Sequence, residues 1–325
     1  MSALAKLSAA AWFMALPAFA DVPEVVADIP PVASLVAQVM QGIGAPDLLL
    51  QPGSSPHGHQ MRPSEAAALS RADLVVWIGA AQSPWLKQAL DQLAAESASL
   101  PLLEVPGTHL RLFGFQAHED ADGEDGHDHE SPDHDEAPGD PHIAHVTGDG
   151  HAHHGVDTHA WLDPRNAVIW LNAIAQQLSV IDPDHATQYT ENAKAAQADI
   201  MSLDADIRAE FDGVTGAIVT YHDAYGYFTD YYGIRSAGTV TDGTAAHPGA
   251  KRMAELRSRL EALSVQCLFT EPQFDASGAT GLASALGLRS GQLDPVGSTL
   301  AQGPDLYRDL LRLTADTIAG CLKEE

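Results

Sequence analysis

The chain has 325 residues, 44 of them acidic against 17 basic, and a formal charge of −27 at pH 7. So large an acidic excess excludes nucleic acid as a partner and favours cations. Hydrophobic residues make up 45% of the chain, enough at this length for two lobes with cores of their own.

The first 20 residues, MSALAKLSAAAWFMALPAFA, contain one lysine, Lys6, then an apolar run, then Ala18-Phe19-Ala20, the small-residue pattern of a cleavable secretory signal. The run before Pro17 falls short of the ~18 residues of a spanning helix, which sets a membrane anchor aside. The segment has no cysteine for a lipid anchor, and nothing later is long and apolar enough to span a bilayer. The mature chain is expected to begin near Asp21 and to be exported and soluble.

EVVADIPPVASLVAQVMQGIG reads as a strand and a helix, and DLLLQPG as a strand and a turn. RPSEAAALSRADLVVWIGA then runs from a helix capped near Ser64 into a continuous apolar strand, Leu74 to Ile78, the kind buried on both faces of a parallel sheet. Alternating strand and helix means an α/β lobe. The last third repeats the pattern in GAIVTYHDAYGYF, PGAKRMAELRSRLEALSVQCLFTEPQF, a short helix, SGQLDP and a final helix from about Pro304.

Residues 182–213 lie between these two regions. Asp182 is the expected N-cap, Pro183 takes the first helical position and Gly213 stands just past the end. Ala186, Tyr189, Ala193, Ala196, Ile200, Leu203, Ile207 and Phe211 form one apolar stripe on a helix of about 28 residues, roughly 42 Å long. Such a helix can tie two lobes together. The alternative, a coiled-coil dimer helix, is disfavoured by the small residues in the stripe.

The expected organisation is therefore a signal at 1–20, an N-terminal lobe at 21–181, the linking helix at 182–213 and a C-terminal lobe at 214–325. Residues 117–158 break every pattern: nine histidines and many acids stand among scarcely any apolar side chains. Such a segment cannot offset the entropy of ordering and is expected to be a disordered insertion in the first lobe. No Lys or Arg occurs between Arg111 and Arg165.

The two cysteines, Cys267 in VQCLF and Cys321 near the end, are expected to pair in an exported protein, closing a loop of about 54 residues. Two buried free thiols are the alternative. Neither has a second cysteine at metal-ligand spacing.

Histidine with carboxylate is a ligand set for borderline divalent metals rather than for calcium or magnesium. Of the histidines in ordered surroundings, His222 ends the apolar strand AIVTY, at the carboxyl end where open α/β sheets bind ligands. A buried structural histidine is the competing reading. His57 occupies the turn SSPHGHQMRPS after a strand of the other lobe. His159 leads through WLDP into a helix with Asp163 as N-cap and Pro164 at its first position, so its backbone is fixed where the insertion stops.

SSPHGHQMRPSEAAALSRADLVVWIG, HAWLDP, YHDAYGYF, CLFTEPQF and LDPVG, in this order around an acidic His-rich insertion, resemble the zinc-binding periplasmic components of high-affinity zinc ABC importers, the ZnuA-type branch of the cluster A-I (cluster 9) solute-binding proteins. The resemblance covers nearly the whole mature chain. It implies two α/β lobes with parallel sheets, one long backbone helix and a metal cleft between the lobes. Its transported ligand is Zn²⁺, and its location is the periplasm of a Gram-negative bacterium. Its partner is a membrane permease, with a periplasmic zinc chaperone as a further partner of the His-rich loop and a monomeric chain as the expected state. Carried over by position, the ligands are His57, His159 and His222. The family's cleft carboxylate falls on Asp294 of LDPVG, with Glu271 of FTEPQF on a neighbouring strand end.

Two departures stand out. Pro56 occupies a place that is acidic in some relatives, and His59 one that is often aromatic, so His59 is a spare ligand or a docking point. Relatives that carry manganese have a carboxylate where His222 stands. Three imidazoles with at most one carboxylate favour tetrahedral zinc. His127, His129, His134, His151, His153 and His154 are expected to take up further zinc more weakly, because each event must also order the chain.

Three histidines with an open position also describe a catalytic zinc, but no H-E-x-x-H stretch is present, and an enzyme is not expected. A metal-regulated adhesin of the same fold is the other alternative.

Overall fold

The computed structural model describes residues 22–51, 53–54, 59–113, 155–241, 249–263 and 265–323. The first lobe runs β1 (Val25–Ala27), α1 (Pro30–Val39), β2 (Asp47–Leu48), α2 (Pro63–Leu69), β3 (Leu74–Trp77), α3 (Pro84–Leu93) and β4 (Ala98–Pro101). Its four strands pair in parallel in the order β2-β1-β3-β4. The valines of β1 and the Leu-Val-Val-Trp run of β3 are buried throughout, as a sheet covered on both faces requires. Pro63 starts α2, and the Glu65 carboxylate accepts the N–H of Arg62 at 2.7 Å, so the N-cap is Arg62, two residues before Ser64.

A two-residue antiparallel pair follows, β5 (Arg111–Leu112) with β6 (Val156–Asp157). Residues 155–158, described here and partly in β6, belong to the stretch expected to be disordered to 158, whose residues 117–154 lie outside the described residues. Asp157 is buried, and burial with bonded partners outweighs the polar composition around it. Next come α4 (Pro164–Ile181) and α5 (Ala186–Phe211). Asp163 caps α4 by accepting the N–H of Arg165 at 2.9 Å, as expected. All of the expected α5 stripe from Tyr189 to Phe211 is buried. Asp182 does not cap α5 through its side chain. A 3₁₀ turn, Pro183–His185, intervenes, and the carboxylate bonds instead to His185 Nδ1 at 2.7 Å and the Tyr189 hydroxyl at 2.8 Å.

The second lobe contains β7 (Ala217–Thr220), α6 (Gly226–Tyr232), β8 (Arg235–Thr239), α7 (Ala250–Ala262), β9 (Val265–Thr270), α8 (Ser277–Leu286), β10 (Arg289–Gln292) and α9 (Leu306–Lys323). Its strands are again all parallel, in the order β10-β9-β7-β8. In both sheets the first strand lies between the second and the third, so the chain reverses direction between β1 and β3 and between β7 and β9. The carboxyl ends at such a switch point form a crevice where α/β sheets bind ligands.

The two lobes share one apolar core. It runs from Val25 through α1, α4 and α5 to Ile318 and Leu322 of α9. Polar ties reinforce it: Ser34 Oγ donates to Pro304 O at 2.8 Å and accepts the N–H of Tyr307 at 3.0 Å, Trp161 Nε1 donates to Pro295 O at 2.7 Å, and the Tyr307 hydroxyl donates to Trp161 O at 2.8 Å. Cys267 of β9 and Cys321 of α9 form a disulfide, as expected for an exported chain. Among the described residues no helix is long and apolar enough to cross a membrane.

Candidate metal centre

His159 opens a 3₁₀ turn, Ala160–Leu162, which leads directly into α4. Asp157 Oδ1 accepts both the His159 backbone N–H at 3.0 Å and its Nδ1 at 2.8 Å, while Oδ2 accepts from Arg111 Nη1 at 3.0 Å. His222 lies two residues past β7, and its Nδ1 bonds to Glu271 Oε1 at 2.6 Å, one residue past β9. This pair spans the switch point of the second sheet. His159, His222, Asp157 and Glu271 are all buried.

The two rings meet across the lobes with Nε2 of His159 3.3 Å from Nε2 of His222. A carboxylate oxygen engages Nδ1 of each ring, which turns the two Nε2 atoms toward each other. A cation between them would be met by a lone pair from each neutral ring. Tetrahedral zinc with nitrogens at about 2.0–2.1 Å sets two of its ligands about 3.3–3.4 Å apart, which matches the observed spacing. A carboxylate behind each imidazole is also the arrangement that orients and strengthens metal-binding histidines.

Burial is the main cause of the electrostatic shifts. It pushes the Asp157 carboxyl up to about 7, against the lowering effect of the His159 N–H and Arg111. Glu271 is raised by burial and held back by His222. Burial, then His222, then Arg111 drive the His159 imidazole well below its usual range, so it is neutral at physiological pH and free of a competing proton.

The other expected site residues fall in different places. His57 lies outside the described residues, as do His127, His129, His134, His151, His153 and His154. Among the described residues no group of three or more His, Cys, Asp or Glu side chains gathers as a metal cage. His59 bonds through Nε2 to Glu65 Oε2 at 2.8 Å and packs against Trp85 with ring centres 4.8 Å apart. Asp294 is held by its own loop and by the one after β9: Oδ1 accepts from Gln273 Nε2 at 2.7 Å and Val296 N–H at 3.2 Å, and Oδ2 from Ser298 Oγ at 2.7 Å. Glu271 instead keeps a buried Oε2 with no hydrogen-bond partner among the described residues.

Asp157 and Arg111 were not among the expected site residues. The Asp-x-His spacing of residues 157–159 was the available signal for the first. For the second it was position, since Arg111 is the last cation before the stretch that has none.

Two parallel α/β lobes on a long helix, with carboxylate-held imidazoles converging between them, define a two-lobed protein built to grip a borderline divalent cation. The family model of the periplasmic zinc-uptake complex component A, ZnuA, matches residues 25–321. The high-affinity zinc uptake system protein ZnuA of Paracoccus denitrificans (strain Pd 1222) is 41% identical over 97% of this chain and 97% of its own length. That of Brucella suis biovar 1 (strain 1330) is 36% identical, with 92% of each chain covered. A crystal structure of a ZnuA deletion mutant with zinc bound superposes with a TM-score of 0.73 at 19% identity, covering 94% of this chain and 100% of that one. This chain belongs to the ZnuA family.

Proposed function

We infer that this protein captures Zn²⁺ in the periplasm of a Gram-negative bacterium and hands it to the membrane permease of a zinc ABC importer. Zinc is its cargo, and the protein catalyses no reaction on it. The observation that carries the reading is the Nε2 pair of His159 and His222 at tetrahedral-ligand spacing, each ring backed by a buried carboxylate. Family membership supports it independently.

His57 is the proposed third ligand. The fourth position falls to a carboxylate or water. Asp294, the position carried over from the family, has three hydrogen bonds to give up, whereas Oε2 of Glu271 has no hydrogen-bond partner among the described residues. The lobes correspond to residues 21–181 and 214–325 around the linking helix, behind a signal at 1–20. The chain acts as a monomer, and its His-rich insertion holds further zinc weakly and meets a periplasmic zinc chaperone.

Competitive zinc titration of the mature chain tests the site. His159→Ala and His222→Ala should each abolish tight binding, and tight binding retained by either variant removes that residue from the site.

A further inference from the structure

Arg111 stands where three parts of the molecule meet. It lies on β5, and its register partner on β6 is Asp157, the carboxylate that holds His159. From there its side chain crosses to the second lobe, where Nε donates to Asp230 Oδ2 at 2.8 Å and Nη1 lies 3.8 Å from Asp223 Oδ1, the residue after His222. The Arg111 N–H also donates to the Tyr227 hydroxyl at 2.8 Å, and that hydroxyl donates to Asp157 O at 2.9 Å. The guanidinium lies over Gly226, where a Cβ would overlap it, so the start of α6 carries no side chain at the one place the arginine needs.

A planar guanidinium with donors on separate edges can serve two carboxylates at once, which an ammonium on a flexible stem cannot do in fixed geometry. Asp157 is fully buried, and the Arg111 side chain is only 13% exposed, so water competes poorly for their contact. The outer partner, Asp230, is 63% exposed and can be exchanged without disturbing the core.

We propose that Arg111 is an interlobe latch for the bound ion, a positioning residue that clamps Asp157, and through it His159, to the α6 region beside His222. The inference rests on the proposed metal site. The ion leaves when the Nε2 atoms of the two rings separate, and while Arg111 bridges Asp157 to Asp230 that separation strains both ion pairs. The latch therefore acts on release more than on capture.

The test is stopped-flow release of zinc into excess chelator from the full mature chain, with rebinding rates and stoichiometry measured alongside. Arg111→Gln should release zinc at least tenfold faster than wild type, with a capture rate within about twofold. Arg111→Lys, able to reach one carboxylate at a time, should fall between. Asp230→Asn opens the outer half of the latch from the surface and should speed release several-fold at full stoichiometry. Gly226→Ala, which displaces the guanidinium without altering charge, should do the same.

If Arg111→Gln fails to fold, Asp230→Asn and Gly226→Ala decide. Wild-type release rates in both, or a slowed capture with unchanged release, overturn the latch. Failure of the underlying site is seen separately, as tight zinc binding that survives His159→Ala or His222→Ala in the same assay.

Discussion

Asp157 binds His159 twice through one oxygen, at the backbone N–H and at Nδ1, and leaves its other oxygen to Arg111. Main chain and ring are thus fixed by a single carboxylate, and Glu271 does the corresponding work for the ring of His222. Both carboxylates should matter to affinity through the rings they hold. Asp157→Asn and Glu271→Gln are expected to weaken zinc binding about 10- to 100-fold, the usual effect of removing a histidine's hydrogen-bond partner, whereas alanine at either histidine abolishes it. Isothermal titration with a competing chelator separates the two classes. If Glu271→Gln matches the histidine variants instead, Glu271 is itself a ligand.

Acidification should weaken zinc binding, with a slope that reports on His159. An ordinary imidazole titrates near pH 6.5, and a protonated ring cannot bind metal. Burial, His222 and Arg111 hold the His159 imidazole well below that value, so it stays neutral as pH falls through 6.5 and contributes little competition there. Log affinity between about pH 6.5 and 5.5 should therefore fall with fewer than the three protons that three unperturbed imidazoles would bind. A limiting slope of three contradicts the neutral His159.

A second titration belongs to folding. Asp28, just past β1, accepts the N–H groups of Ile29 and Ile78, both at 2.9 Å, and burial raises its carboxyl from 3.8 to about 7. The folded state then holds a proton that the unfolded state has lost. The stabilising contribution is complete below about pH 4 and disappears as pH rises through about 7, at most about 4 kcal/mol. Asp28→Asn removes this titration. In urea melts of zinc-free protein, wild type should lose more stability than the variant between pH 4 and 8, and parallel profiles would show that Asp28 is ionised throughout.

The helix-and-strand grammar of both lobes, the α5 stripe and the Asp163 cap were legible because periodicity and Asp-Pro punctuation act over short range. So was the placing of His159 and His222 where ordered elements begin or end. β5 and β6 escaped because two residues show no period, and the setting of Arg111 depends on Asp157 and Asp230, 46 and 119 positions away, pairings no local pattern encodes. α3 and β4 were passed over for another reason: β4, Ala-Ser-Leu-Pro, is only half-buried and lacks the apolar run that marks β3.

Excising residues 118–154 should spare the tight site. The N–H of Phe113 bonds to Gly155 O at 3.0 Å, and β5 pairs with β6 immediately beyond, so the shortened chain needs only a hairpin-sized turn. One tight zinc should remain while the weaker ones, assigned to the His-x-His pairs, disappear. Counting bound zinc by atomic absorption after dialysis settles it, and either a full complement or a lost tight ion in the excised chain refutes the division.

Reduction of Cys267–Cys321 should lower stability without touching the metal site, since the bridge joins β9 to the far end of α9. A loop of 54 residues corresponds to about 4 kcal/mol of lost chain entropy in the unfolded state. Denaturant midpoints with and without reductant, on zinc-free protein, give the value directly, and coincident midpoints would show the bridge to be energetically idle.

The continuous core from β1 to α9 bears on how the ion gets out. Wide clamshell opening about a hinge would pull α1 from α9 and bring Trp161 and Tyr307 into water, at a cost near that of unfolding the interface outright. Release then calls only for a local parting of the two imidazoles, with the core between β1 and α9 left closed.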